Sequence, residues 1–167
     1  AEDGYSGMFP EILQWDERWG YSPYGTSIIA VSGCGPTCVS MLVVGLTGDK
    51  TVTPSVVADY ATQNHYVDEN NDTTWAFMTS GVEHWGLTCR ESNGNESEIA
   101  KELEAGHPVI CSMRPGDFTD IGHFIILTSY NNGNVTICDP FSLENSQKSW
   151  NYSQISSQIK AVWVYSK

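Results

Sequence analysis

Apolar residues in the first half of the chain recur at helical spacing. Val39, Leu42, Val43 and Leu46 form a stripe at i, i+3, i+4 and i+7, and Gly48 ends it. Thr53-Pro54 reads as an N-cap with proline in the first helical position. It opens a helix through about Asn64, with Val56, Val57, Tyr60 and Ala61 on one face. Thr74 to Trp85, closed by Gly86, is a third helix. Glu96 to Ala105 is a fourth, with Ile99 and Leu103 one turn apart and Gly106 at its end.

The period shortens in the second half. Pro108 to Met113, His123 to Tyr130, Val135 to Asp139 and Ala161 to Tyr165 are short runs rich in β-branched and aromatic residues. Asn131-Asn132-Gly133-Asn134 predicts a tight hairpin between two of them. Helices first and an antiparallel sheet afterwards is an α+β pattern. No repeat or linker interrupts it, so residues 1–167 read as one domain, with 1–12 an extended N-terminal segment. Asp68 to Asp72 reads as an exposed polar loop.

Composition narrows the class. With 167 residues, 40% of them hydrophobic, the chain can bury one sizeable core. No apolar run is long enough to span a bilayer. Eight basic against twenty acidic residues give a net charge of −12, which opposes binding to nucleic acid and anionic membranes. The start at Ala1 reads as a trimmed or mature secreted product. The five cysteines at 34, 38, 89, 111 and 138 include no C-x-x-C pair, so the pattern predicts neither a zinc site nor any other metal or cofactor. Cys38, Cys111 and Cys138 read as small buried hydrophobes, with a Cys111–Cys138 bridge as the alternative. The odd count leaves at least one free thiol.

Cys34 is the natural candidate for that thiol. Ser32-Gly33-Cys34-Gly35-Pro36-Thr37 sets it in a glycine turn at a helix start, where the macrodipole favours a thiolate. The two glycines predict room for a substrate backbone at the sulfur. Gly122-His123 opens the strand Phe124-Ile125-Ile126-Leu127, and the next strand ends in Asp139-Pro140. The hairpin would bring Asp139 near His123. A thiolate needs an imidazole to hold it and later protonate a leaving amine, and the imidazole needs an acceptor on its other nitrogen. Taken singly, a structural histidine and a strand-ending turn are the commoner readings; the three types together point to one site. Gln14 offers a neutral amide donor for an oxyanion, beside the Cys34 backbone N–H.

Gln14-x-Asp16-x-x-Trp19, Ser32 to Thr37 with Met41, Gly122-His123-Phe124 and Asp139-Pro140 occur in an order that resembles a known group. These are the stand-alone bacterial relatives of the bacteriocin-processing peptidases, family thirty-nine of the cysteine peptidases in the papain-like clan. The resemblance implies Cys34 as nucleophile, His123 as general base and acid, Asp139 as orienter and Gln14 as oxyanion donor. It also implies a papain-like fold, with a helical half carrying the cysteine packed on an antiparallel sheet. One departure is visible: the family usually puts the glutamine only a few residues before the cysteine, whereas Gln14 lies twenty before Cys34, and Ile28 near the usual place cannot donate. The membrane and ATP-binding domains of the transporter-linked members are not in this sequence, so cleavage of double-glycine leaders during export does not follow.

The expected activity is hydrolysis of peptide bonds through a thioester acyl-enzyme, by a secreted or cell-surface bacterial monomer acting on a peptide or protein. The alternatives are an acyltransferase or amidase with the same triad, and a binding module that keeps the fold. His65, His84 and His107 lack the glycine–strand setting and read as structural or exposed. Asp68-x-Asn70-x-Asp72 resembles the start of a calcium loop, but Thr73 stands where its glycine belongs. Trp15 and Trp19 flank Gln14 and could line a cleft, while Asp117 and Asp120 are placed on a loop bordering the groove.

Overall fold

A computed structural model describes residues 9–167. A two-residue strand β1 (Pro23–Tyr24) pairs with β2 (Ser27–Ile28), and the short α1 (Ile29–Ser32) leads through Gly33 into α2 (Cys34–Thr47). Then come α3 (Pro54–Gln63), α4 (Trp75–Thr79), a 3₁₀ turn over Gly81–Trp85, β3 (Thr88–Ser92) and α5 (Glu96–Glu104). The second half contributes β4 (Val109–Met113), β5 (His123–Asn131), β6 (Asn134–Cys138), α6 (Leu143–Ser146), β7 (Trp150–Asn151), α7 (Tyr152–Ser156) and β8 (Ile159–Ser166).

Local chemistry explains the boundaries. Gly48 ends α2 in the left-handed conformation at φ 76°, and the Thr53 side chain accepts from Val56 N to cap α3. The predicted third helix is broken: α4 stops at Thr79, and Gly81 packs so closely on the Phe77 ring that a Cβ there would collide with it. The chain tightens to a 3₁₀ turn, which Gly86 closes at φ 80°. Val56, expected on the inner face of α3, is exposed; Pro54, Val57, Ala58 and Ala61 are buried instead.

Six strands form an antiparallel sheet in the order β3-β8-β4-β5-β6-β7. Alternation along each strand divides its side chains between two cores. Ile110, Phe124, Ile126 and Trp163 join the core formed with α2 and α3, while Val109, Cys111, Ile125 and Val162 join the other with Ile99 of α5 and Ile155 of α7. Each fully buried aliphatic side chain contributes about 1.5–3 kcal/mol. The α+β class expected from the sequence is therefore present, but helices cover both faces rather than one. Cys111 and Cys138 lie in opposite cores with β5 between their strands, so no bridge forms, and all five cysteines are free. Of the expected extended segment 1–12, residues 1–8 lie outside the described residues. Phe9 lies against α2, where a Cβ on Gly45 would strike its ring, and Ile12 N–H donates to the Met41 sulfur at 3.1 Å.

Candidate active site

Cys34 is the first residue of α2, so its backbone N–H is among those a helix leaves without an intrahelical acceptor. The glycines beside it do something other than open space for substrate. A Cβ on Gly33 would meet the Ile29 backbone, and one on Gly35 would fall on the Thr73 side chain. Both positions are taken up by close packing that presses the Cys34 turn against α1 and the 68–74 loop. Gly35→Ala should therefore displace Thr73, costing about 1–3 kcal/mol, and thermal unfolding measures it.

The sheet delivers the other two groups through one irregularity. In the β5–β6 hairpin, Asn131 pairs with Asn134 and Ser129 with Thr136, but Leu127 pairs with Ile137, leaving Thr128 as an extra residue. Without that bulge Asp139 would stand opposite Ile126; with it, Cys138 pairs with Ile126 at the end of the ladder, and Asp139 lies one residue beyond, where its carboxylate meets the His123 ring. Asn132 and Gly133, at φ 51° and 87°, make the tight turn that fixes this register.

His123 Nε2 donates to Asp139 Oδ1 at 2.7 Å, with 8% of the His123 side chain and 1% of the Asp139 side chain exposed. Two further donors hold the Asp139 carboxylate: Oδ1 also accepts from Phe141 N at 2.9 Å, and Oδ2 from Asn145 Nδ2 at 3.1 Å. Its own N–H donates to Ser146 Oγ at 2.8 Å. Because Nε2 is engaged, Nδ1 is the imidazole nitrogen left for Cys34. Burial opposes charge on this ring, but hydrogen bonds to Asp139 and to Cys34 outweigh it and push the His123 pKa up to about 10. A thiol, an imidazole and a carboxylate so arranged can pass a proton between sulfur and a bound reactant while the ring is held in place.

Cys34 and His123 open onto a cleft of about 270 Å³. Thr73 and Trp75 form one wall, Ile121 and Phe124 another, and Lys160 lies at its rim. Lys160 Nζ sits 5.7 Å from the Trp75 ring centre. Asn71 carries the Thr73 wall: its Oδ1 accepts from Thr26 N at 2.9 Å, tying the 68–74 loop to the β1–β2 hairpin. Asp68 Oδ1 accepts the N–H groups of Asn70 and Asp72, each at 2.9 Å, so this carboxylate closes its own loop.

Gln14 is buried between the two arms of the site. Its N–H donates to Pro140 O at 2.7 Å, next to Asp139, and Nε2 donates to Ile29 O and Ala30 O at 3.3 and 3.2 Å. The segment therefore does return Gln14 to the turn before Cys34, but its amide hydrogens face backbone carbonyls and it does not line the cleft. Its Oε1 is buried without a partner among the described residues.

Other candidates lie elsewhere. His84 stacks on Tyr60 with centroids 4.0 Å apart, His107 pairs with Glu102 at 3.1 Å, and His65 is exposed. Trp19 is core and Trp15 is bound through Nε1 to Phe141 O, so neither lines the cleft. Asp117 faces α7 and the turn after it, where its Oδ2 accepts from Gln154 Nε2 at 3.1 Å and Gln158 Nε2 at 2.8 Å; Ile121 and Gly122 of the same loop border the cleft instead. Sequence reasoning missed Asn145 and Ser146, the groups that hold Asp139. Their signal was present in Ser142-x-x-Asn145, where Ser142 Oγ accepts from Asn145 N as the cap of α6.

Comparisons with known proteins bear on the family and the fold. The model of the Peptidase_C39 like family matches residues 8–167. A protein of Bacillus anthracis described as a C39-like peptidase shares the fold with TM-score 0.56 and 17% identity, covering 100% of this chain and 98% of its own. The peptidase domain of Streptococcus ComA, a bi-functional ABC transporter involved in a quorum sensing pathway, has TM-score 0.56 and 14% identity, over 82% of this chain and 93% of that domain. No curated protein matches the sequence.

Proposed function

The chain belongs to the Peptidase_C39-like family, and from that premise we propose that it is a cysteine peptidase in which Cys34, His123 and Asp139 act together. The observation that carries this reading is the buried 2.7 Å bond between His123 Nε2 and Asp139 Oδ1, with the ring's other nitrogen turned to Cys34 at a helix start. In this reading Cys34 Sγ attacks a peptide carbonyl and the His123 imidazolium protonates the departing amine. A thioester is left, and water, deprotonated by His123, then releases the acid. Asp139 keeps the ring oriented throughout.

The oxyanion is assigned the Cys34 backbone N–H and the Gln14 amide, which turns from Ile29 and Ala30 when the tetrahedral species forms. Those bonds of 3.2 and 3.3 Å are long for N–H···O, so little is lost in turning. Gln14→Ala should lower kcat by about 10²–10³-fold with KM little changed. A kcat loss below tenfold would return Gln14 to a bracing role between the 9–22 segment and α1.

We assign the whole of residues 1–167 to one peptidase domain that works as a monomer outside the cell. The net charge of −12 supports solubility there. The test of activity is digestion of a peptide library with and without an added amine, read by mass spectrometry. New free carboxyl termini are expected in both. Products carrying the added amine in place of hydrolysis would make the enzyme an acyltransferase, and no new termini at all would overturn the reading.

A further inference from the structure

Beneath Asp139, on the side away from the cleft, lies a carboxyl that the mechanism above does not use. Phe9 packed on Gly45 and Ile12 N–H on the Met41 sulfur pin residues 9–12 along α2. Glu11 is thereby directed inward. Both of its carboxyl oxygens are closed to water and have no hydrogen-bond partner among the described residues. It lines a cavity of about 300 Å³ with Thr128, Thr136, Cys138 and Ser146. Two of these belong to the framework of the site: Thr128 is the bulge in the β5–β6 ladder that ends next to Asp139, and Ser146 Oγ accepts the Asp139 N–H.

We propose that Glu11 is a positioning residue for the triad, its buried carboxyl governing through Ser146 and Asp139 how firmly His123 is held. The proposal rests on the assignment of Cys34, His123 and Asp139 as the working site. On the side of the sheet and α2, the titratable groups around Glu11 carry no positive charge. Asp139 faces it from the end of β6, and the thiols of Cys138 on β6 and Cys38 on α2 are both held protonated by burial, with Glu11 adding to the effect. On the opposite side, Glu11 shares a second cavity with Arg18 and Lys50; Arg18 is committed to Asp16 at 2.8 Å. Burial, with the Asp139 charge adding to it, pushes the Glu11 pKa up to about 8. At neutral pH the carboxyl is therefore uncharged and compatible with an ionised Asp139. Above pH 8 a second buried carboxylate arises beside Asp139. Repulsion then loosens the Asp139–His123 bond, and the new charge draws residues 9–12 toward water.

Two readouts test this in the full chain. The pH profile of kcat/KM for wild type is expected to fall above pH 8 as one group ionises, approaching about a tenth of its neutral value one unit higher where the ionised form contributes no turnover. In Glu11→Gln that limb should move up toward pH 10, where His123 itself loses its proton. The second readout needs no turnover: the His123 imidazole NMR signals should inflect near pH 8 in wild type and lose that inflection in Glu11→Gln. Glu11→Met, which buries no polar group, replaces the glutamine variant if that one does not fold. An inflection near pH 8 that persists in the variant, or is missing from wild type, overturns the proposal. A wild type that cleaves nothing refutes the peptidase reading alone, and the NMR titration still decides the role of Glu11.

Discussion

Cys34→Ala is expected to remove peptide cleavage entirely while leaving the fold in place. Loss of a covalent nucleophile costs roughly 10⁶-fold where its partners act with it as a unit, so residual turnover should sit at background. The structural cost is small because the side chain is only half-buried and its close packing is made by neighbours: Gly33 against Ile29 and Gly35 against Thr73. About 1 kcal/mol or less is expected in thermal unfolding. Cys34→Ser should be equally inactive, since a serine hydroxyl beside the same imidazole is a far weaker nucleophile without a base tuned to it. Retained cleavage in either variant, measured on one purified peptide, would remove Cys34 from the mechanism.

The second large effect is expected at Asp139. Asp139→Ala strips His123 Nε2, Phe141 N and Asn145 Nδ2 of their shared acceptor in a buried place, and each orphaned donor costs about 1–3 kcal/mol. Turnover should fall roughly 10²–10⁴-fold because the ring loses its orientation. Asp139→Asn keeps an acceptor for His123 and should recover much of the rate, a split that a merely structural carboxylate would not produce. The pH dependence of stability gives an independent reading. With a folded pKa near 10 against an ordinary value of 6.5, His123 keeps a proton in the native state that the unfolded chain releases. Its stabilising contribution is complete below pH 6.5 and is lost as pH rises through 10. In Asp139→Ala burial is no longer opposed by that partner, so the decline of unfolding free energy over this window should flatten.

What the sequence made legible follows from which interactions are local. Helix α2, with its stripe and Gly48 stop, α3 with its Thr53 cap, and the Asn132-Gly133 turn all rest on contacts within a few residues, and each stands where expected. The meeting of His123 and Asp139 was also legible, because one hairpin joins them. The bulge at Thr128 was not: a strand pattern cannot show which residue will be left unpaired, although that residue shifts the register of the β6 end that leads into Asp139. Strand β3 was missed for a related reason. Thr88–Ser92 is a mostly exposed edge strand without an apolar alternation, and it exists because β8 pairs with it. The cleft wall depends on long-range packing as well. Trp75 packs edge-on against Trp163 of β8, and Asn71 in the preceding loop fastens to the β1–β2 hairpin, both contacts between distant parts of the chain. The inward turn of Glu11 was not legible for the same reason; nothing near it in sequence says how Phe9 and Ile12 will pack on α2.

The central claim is that Cys34 and His123 work as one pair held by Asp139, and alkylation of Cys34 tests it without any knowledge of the substrate. The measurement is the rate of carbamidomethylation by iodoacetamide at pH 6, located by mass spectrometry, in wild type and in His123→Ala. Cys38, Cys111 and Cys138 are buried and Cys89 is half-buried, so the Cys34 peptide can be followed by itself. The pair predicts rapid labelling of wild-type Cys34 at pH 6 and at least a tenfold slower rate in His123→Ala, because the imidazolium is what holds the sulfur as a thiolate. Equal rates in the two proteins would contradict it.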